Sequence, residues 1–222
     1  VAISFYEGKV SGFISIEGQN GSMVVGSLKN SKNHIIYKDK EISYLNEFSC
    51  QVEDNMEGYT IEEIAETSKS NAAAKCPRVF FDICTDIVRD KGGAQQATNY
   101  IEAVFNQVAA LYANDNISIK LSGTKAWTSN QPFNNNSLNS YSNYRNSNGL
   151  DGDLGHMVNY SFNGGLAGGI GTLCNSSNKY AVSGIQGNYQ NIPTYSFDVF
   201  LISHELGHNV GSRHTHACVW NG

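Results

Sequence analysis

Three histidines and one glutamate near the carboxyl end of the sequence have the types and spacing of a metal-dependent hydrolytic site. His204 and His208 are four residues apart, and His214 follows six residues later. On an α-helix, residues four apart differ by about 40° around the axis, so both imidazoles can reach one ion. Glu205 is about 100° from His204, which lets it contact a water on that ion without binding the ion itself. The spacing therefore predicts three histidine ligands and Glu205 as general base.

The predicted ligand set favours zinc and a catalytic role. Three neutral imidazoles leave one position of a tetrahedral zinc site open, whereas structural zinc sites are closed by four protein ligands. Zinc lowers the pKa of its water to about 7 and polarises a carbonyl group. Glu205 would take the proton of the attacking water and pass it to the leaving amine. Gly211 can adopt the left-handed conformation that ends a helix, so that His214 returns to the ion.

The alternative explanation is that these histidines lie together in the sequence by coincidence. Five fixed positions, each matched by chance about one time in twenty, would occur in this chain with a probability on the order of 10⁻⁴. An apolar stripe also follows the opposite helix face at Val199, Ile202, Leu206 and Val210. A buried helix with unpaired histidines has no good structural explanation without a metal. One catalytic Zn²⁺ is therefore the expected cofactor.

The elements that must position this site have an α/β pattern from residue 78 onward. Residues 79–85 form an apolar run interrupted by Asp82, which is typical of a strand buried on both faces. An amphipathic helix follows over 97–112, and residues 117–121 alternate as a strand. This order favours a right-handed βαβ unit. Further strands are predicted at 154–160, 168–174 and 181–185, and a last helix at 196–210.

The residues before this α/β region have a different pattern. Short β-branched and aromatic runs at 1–6, 9–16, 23–28 and 34–37 predict a β-meander, in which Asn20-Gly21 is a hairpin signal. Residues 51–76 are polar and acidic, then small, and favour an accessible linker over a weak helix.

Residues 129–150 contain eight asparagines, five serines and one charge, Arg145. That composition predicts a solvated surface loop rather than a binding segment.

Composition excludes several function classes. The chain has 15 Lys+Arg and 20 Asp+Glu, and its formal net charge of −5 argues against a nucleic-acid partner. No apolar run approaches the roughly 18 residues of a membrane-spanning helix, so no membrane segment is expected in this chain. The five cysteines match neither a zinc ribbon nor a redox motif. Asp151 and Asp153 could bind calcium, although a solvated turn is the alternative.

The motif HELGHNVGSRH at residues 204–214 is identified as the metzincin zinc signature. The segments before it resemble the adamalysin/reprolysin branch in its secreted bacterial form, notably GLA at 165–167 and GTLC at 171–174. The resemblance implies a secreted zinc endopeptidase of α/β (α+β metzincin-like) fold, with a mixed, mostly parallel twisted sheet and an active-site helix. It also implies an edge strand that binds peptide substrate by β-augmentation, with a glycine-rich turn as the alternative. The residues of that edge strand are Leu166, Ala167, Gly168, Gly169 and Ile170.

The resemblance further implies a latent precursor with an intramolecular prodomain as partner. Residues 1–50 would be the end of an all-β prodomain, 51–76 a linker or activation region, and 77–222 the upper subdomain of the catalytic domain. A Cys50 thiolate could occupy the open zinc position, because thiolate is a good zinc ligand. The alternatives are a disulfide, with Cys76 as the partner, or a buried thiol. The glycine that usually follows such a cysteine is replaced by Gln51.

The chain is expected to be a fragment of a longer precursor. It begins at Val1 without a signal peptide and ends eight residues after His214, before the methionine-containing turn of metzincins. Cys174 and Cys218 would either pair with each other or have partners beyond this chain. Two hypotheses compete with the active protease. One is a zinc-binding but inactive fragment, and the other is a binding or adhesion protein on a metzincin scaffold.

Overall fold

The computed structural model describes residues 1–28, 31–41, 50–54, 59–60, 76–173, 175–187 and 195–214. Its strands are Ala2–Tyr6 (β1), Lys9–Ile14 (β2), Met23–Ser27 (β3), His34–Lys38 (β4), Arg78–Ile83 (β5), Lys120–Ala126 (β6), Leu154–Asn159 (β7), Gly165–Ala167 (β8) and Tyr180–Gly184 (β9). Its α-helices are Thr85–Lys91 (α1), Ala94–Asn114 (α2), Leu138–Asn148 (α3) and Tyr195–Val210 (α4), and a 3₁₀-helix covers Asp39–Glu41.

A five-stranded sheet in the order β6-β5-β7-β9-β8 is the frame of the second half of the chain. The first four of these strands pair in parallel, and β8 pairs antiparallel with β9 at the edge. Strand β5 lies between β6 and β7, and its Val79, Phe81 and Ile83 are fully buried in a core shared with α2 and α4. The predicted α/β class and the mixed, mostly parallel sheet are therefore confirmed.

Two predicted strands begin or lie elsewhere in the structure. The strand predicted at 117–121 starts only at Lys120, after α2 ends in a turn where Asn116 has a φ of 58°. The strand predicted at 168–174 is wrong, since the extended segment is β8, a few residues earlier. Gly169 and Gly171 have φ values of 143° and 71°, which interrupt an extended backbone.

The prediction of a solvated loop at residues 129–150 is wrong for its second half. That half forms α3, whose first turn is capped where the Ser140 N–H donates to Ser137 Oγ at 3.1 Å. Tyr141 on this helix is fully buried, and Arg145 is 9% exposed. Arg145 lies there because its guanidinium binds the carboxylate of Asp82, which is fully buried on β5. No local pattern could predict a pair 63 residues apart.

Replacing Arg145 by methionine should lower the free energy of unfolding by about 3–5 kcal/mol, because it leaves a buried carboxylate without its cation. Among the described residues, Asp82 would keep two neutral side-chain donors, Trp127 Nε1 and the Tyr141 hydroxyl, each at 2.8 Å. Urea unfolding of Arg145→Met and of the parent measures the difference. Arg89→Met on α1 is the matched control, because Arg89 is exposed and its change should stay within about 0.5 kcal/mol. Equal losses in both variants would contradict the assignment.

Strands β1 to β4 form a separate antiparallel sheet in the order β1-β2-β3-β4, so the predicted meander is confirmed. This sheet contacts α2 through β1 and the turn after it. Asn106 Nδ2 donates to Ser4 Oγ, and Asn99 Nδ2 donates to Glu7 Oε1, both at 3.0 Å. Within the described part of the chain, no helix is long and apolar enough to cross a membrane. Most of the predicted linker lies outside the described residues.

Candidate metal centre

Helix α4 carries the first two candidate ligands and is anchored at its start by a buried carboxylate. Asp198, in the first turn, accepts hydrogen bonds from the Tyr100 hydroxyl at 2.5 Å and from the backbone N–H groups of Gln186 and Gly187 at 2.8 and 3.0 Å. A carboxylate in the first turn also complements the helix dipole. Sequence reasoning missed Asp198, although an acidic residue at the start of a predicted helix is a visible signal.

The opposite end of α4 returns the chain toward the histidines. Gly211 follows the last helical residue with a φ of 112°, and its N–H donates to the His208 carbonyl at 3.0 Å. The next N–H, of Ser212, donates to the Gly207 carbonyl at 2.7 Å. These two bonds close the helix by the usual glycine-dependent turn. The turn places His214, 7% exposed, beside the two helical histidines.

Four ligand atoms converge at this turn, one each from Cys50, His204, His208 and His214, and all lie within 4.8 Å of one another. His204 Nε2 and His208 Nε2 are 2.9 Å apart. Cys50 Sγ is 3.4 Å from His208 Nε2 and 3.1 Å from His214 Nε2. Three imidazole nitrogens and one sulfur make a donor set of the type and number that tetrahedral zinc accepts.

The protonation of these groups also suits a metal. His208 Nδ1 lies 2.8 Å from the Ser212 carbonyl, which leaves Nε2 facing the cluster. Burial lowers the pKa of His208 and keeps the imidazole neutral, as a ligand must be. Burial, and then the charge of Glu205, raise the pKa of the Cys50 thiol to about 11. A thiolate at this position therefore needs a nearby cation, and a bound metal is one.

Cys50 belongs to an extended segment, residues 50–52, that pairs with the edge strand of the sheet. Cys50 forms a parallel β-bridge with Gly165 on β8, and the Gln51 N–H donates to the Gly165 carbonyl at 3.1 Å. Gln51 Nε2 also donates to the Asn163 carbonyl at 3.0 Å. Cys50 and Cys76 are both free thiols, so the alternative of a disulfide between them is wrong. Residues 50–52 thus occupy the open side of β8.

The predicted substrate-binding strand coincides with β8 only in part. Leu166 and Ala167 belong to β8, whereas Gly168, Gly169 and Ile170 follow it. The Gly168 N–H still donates to the Tyr180 carbonyl at 2.8 Å, so the backbone stays paired with β9 for one more residue. Val52 packs with Ala167 and Ala181 in a small buried cluster. The partly buried Leu166 and Ile170 pack against this cluster. The edge strand is therefore shorter than predicted.

Glu205 is fully buried between α4 and β8. A Cβ atom added to Gly165 would lie 2.2 Å from Glu205 Oε1, so the carboxylate rests directly on the glycine backbone. Burial raises the pKa of Glu205 to about 8, and the Ala167 N–H partly opposes that rise. Neither carboxylate oxygen has a well-aligned hydrogen-bond donor among the described residues. A buried carboxyl with a pKa near neutrality is suited to exchange a proton.

Alanine at position 165 should lower the free energy of unfolding by about 1–3 kcal/mol, because the new methyl group overpacks against Glu205. Gly207→Ala is the matched control on α4 itself. Its added Cβ would meet Ser212 Cβ at 3.5 Å and the Tyr112 hydroxyl at 3.6 Å, which are ordinary contacts. Helix propensity should then raise stability by up to about 1 kcal/mol. Urea unfolding of both variants gives the comparison, and shifts of the same sign would disprove the close contact at Gly165.

Asp54 is a further site residue, which sequence reasoning placed in the linker. Its side chain is 2% exposed. It pairs with Arg213 at 3.1 Å and accepts the His214 backbone N–H at 3.1 Å. The Tyr59 hydroxyl donates to the Gly211 carbonyl at 2.6 Å. An acidic residue in a polar segment carries no local signal of such a role.

The carboxylates considered for calcium, and a further buried histidine, lie apart from this cluster. Asp151 and Asp153, considered for calcium, pair with Arg78 at 3.3 and 3.4 Å. His156 is buried on β7, where its Nε2 lies 2.8 Å from Ser183 Oγ, and burial lowers its pKa to about 3. The residues singled out at 174 and 218 are outside the described part of the chain.

Comparison with known proteins identifies the family. A search of curated proteins found no match. Residues 78–219 match the model of metallo-peptidase family M12. The matched range holds the parallel sheet, α4 and all three histidines of the cluster. Because the match covers more than half of the chain, this protein belongs to metallo-peptidase family M12.

Proposed function

We propose that this chain is part of the latent precursor of a secreted zinc endopeptidase of the reprolysin-like metzincin type. The observation that carries the proposal is the convergence of three histidine nitrogens and the Cys50 sulfur within 4.8 Å. His204, His208 and His214 would hold the zinc, and peptide or protein chains would be the substrates. Secretion is proposed from the resemblance of the sequence to the secreted bacterial branch.

Glu205 is the residue proposed to move the proton. Zinc, when bound, supplies a Lewis acid that activates water and polarises the substrate carbonyl. The carboxylate of Glu205 is one residue beyond His204 on α4, buried and without a well-aligned donor among the described residues. It can therefore accept a proton from water and deliver it to the leaving amine.

Latency is proposed to arise because one segment blocks both parts of the cleft. With zinc bound, the Cys50 sulfur would be a fourth ligand and would exclude the attacking water. Gln51 and Val52 cover β8, the edge at which a substrate strand would add. Cleavage within residues 51–76 would release this segment and expose metal and edge together.

Metal content and cleavage, measured on one preparation, test the proposal. Elemental analysis should find one zinc per chain, and cobalt substitution should show a thiolate-to-metal charge-transfer band that Cys50→Ser removes. An unstructured protein should then be cleaved once residues 1–76 are separated from the rest, and a chelator should stop the reaction. Zinc without cleavage after that separation would instead support an inactive zinc-binding or adhesion scaffold. A chain without zinc would contradict the assignment of the site.

A further inference from the structure

We propose that Asp54 is a positioning residue for the third histidine, so that the latency segment forms part of the metal centre as well as covering it. The inference rests on the proposed zinc site and latency. Asp54 lies outside the zinc-binding motif, in the segment that the sequence predicts to be a linker.

Both oxygens of Asp54 are engaged by the chain around His214. Oδ1 lies 3.1 Å from Arg213 Nη1, and Oδ2 accepts the His214 backbone N–H at 3.1 Å. Oδ2 is also 3.5 Å from His214 Nδ1. The side chains of Asp54 and His214 are 2% and 8% exposed, so water does little to screen these contacts.

The two neighbouring ligands His208 and His214 are oriented in different ways. A metal-bound histidine usually donates its other ring N–H to a carboxylate or a carbonyl, which fixes the ring. For His208 that partner is the Ser212 carbonyl, four residues away, at 2.8 Å. For His214 the neighbouring acceptor is the carboxylate of Asp54, 160 residues earlier in the chain: its Oδ2 accepts the His214 backbone N–H at 3.1 Å and lies 3.5 Å from the ring Nδ1 as an electrostatic contact. The orientation of His214 therefore depends on the docked segment.

Contacts on both sides of Asp54 hold it in place. Before it, Val52 is buried against Ala167 and Ala181. After it, the Tyr59 hydroxyl donates to the Gly211 carbonyl at 2.6 Å, and the Arg213 guanidinium lies 4.8 Å from the Tyr59 ring centroid. Residues on both sides of Asp54, at 50–52 and at 59, thus contact β8 and the turn that carries His214.

This arrangement couples the segment and the metal. While the segment is docked, it supplies Cys50 as a ligand and Asp54 as the partner of another ligand. Release removes both at once, so the precursor should hold zinc more tightly than the released enzyme does. By linkage, bound zinc should equally hold the segment down. Loss of Asp54 alone should weaken both effects while Cys50 is still present.

The test compares Asp54→Asn with Glu53→Gln in the zinc-loaded full chain. Glu53 is the matched control, because it is the adjacent acidic residue and is exposed. Two rates are measured: alkylation of Cys50 by iodoacetamide, located by peptide mapping, and loss of zinc to an excess of chelator. Asp54→Asn should raise both rates about tenfold or more, because it removes a buried charge-assisted interaction. Glu53→Gln should change neither by more than about twofold.

Further variants separate a positioning role from a general loss of stability. Arg213→Gln should raise both rates, and the double variant with Asp54→Asn should exceed neither single variant, because the two residues act as one unit. Asp54→Glu should restore part of the zinc retention. The inference is overturned if Asp54→Asn matches Glu53→Gln in both rates, or, should that variant not fold, if Arg213→Gln matches it. Rapid Cys50 alkylation in the zinc-loaded parent would instead overturn the proposed latency itself.

Discussion

Replacing Glu205 by glutamine is expected to slow peptide cleavage by about 10²-fold or more while one zinc per chain stays bound. Glutamine keeps the size of the side chain and its place against Gly165, but an amide cannot accept the proton of the attacking water. The three histidines are unchanged, so metal binding should be too. The two measurements are the cleavage rate of the chain freed of residues 1–76 and its zinc content.

The buried setting of Glu205 makes this substitution informative. Burial raises its pKa to about 8, so the fold already tolerates the neutral carboxyl group. A neutral amide at that position should therefore not destabilise the protein. His204→Ala is the contrasting variant, in which zinc and activity should be lost together. Cleavage by Glu205→Gln at the rate of the parent would show that another group is the base.

Replacing Cys50 by serine is expected to raise the activity of the uncleaved precursor about tenfold for every 1.4 kcal/mol of ligation energy that is lost. Serine is close in size but is a poor zinc ligand at neutral pH, so the fourth position should open to water. The backbone contacts of residues 50–52 with β8 remain, and they should keep the variant below the activity of the enzyme freed of its first 76 residues. The assay is cleavage of an unstructured protein by the intact chain.

A second cysteine offers the control for this experiment. Cys76 is also a free, half-buried thiol, at the opposite end of the predicted linker, and it does not belong to the metal cluster. Cys76→Ser should leave the precursor as inactive as the parent. Activation by Cys76→Ser, or no activation by Cys50→Ser, would rule out the latency mechanism.

Elements such as α4 and the meander strands, which depend on local sequence patterns, were predicted correctly, whereas α3, which depends on contacts between distant residues, was not. Helix α4 was predicted from local periodicity and is found at Tyr195–Val210. The predicted ends of the four meander strands lie within about two residues of the observed ends. Such elements depend on patterns within a few residues. The loop prediction for residues 129–150 was wrong for their second half, because a polar composition gives no sign that Arg145 is buried. Arg145 becomes part of the core because it binds the buried carboxylate of Asp82.

The sequence by itself determined the chemistry of the site, because a helix of known pitch places His204, Glu205 and His208 in a defined relation, and a glycine turn brings back His214. Only the tertiary structure decided the fourth donor and the partner of the third histidine. Cys50 and Asp54 lie more than 150 residues before the histidines they contact. Their positions depend on the pairing of residues 50–52 with β8, and contacts over such sequence distances leave no periodic signal in the chain.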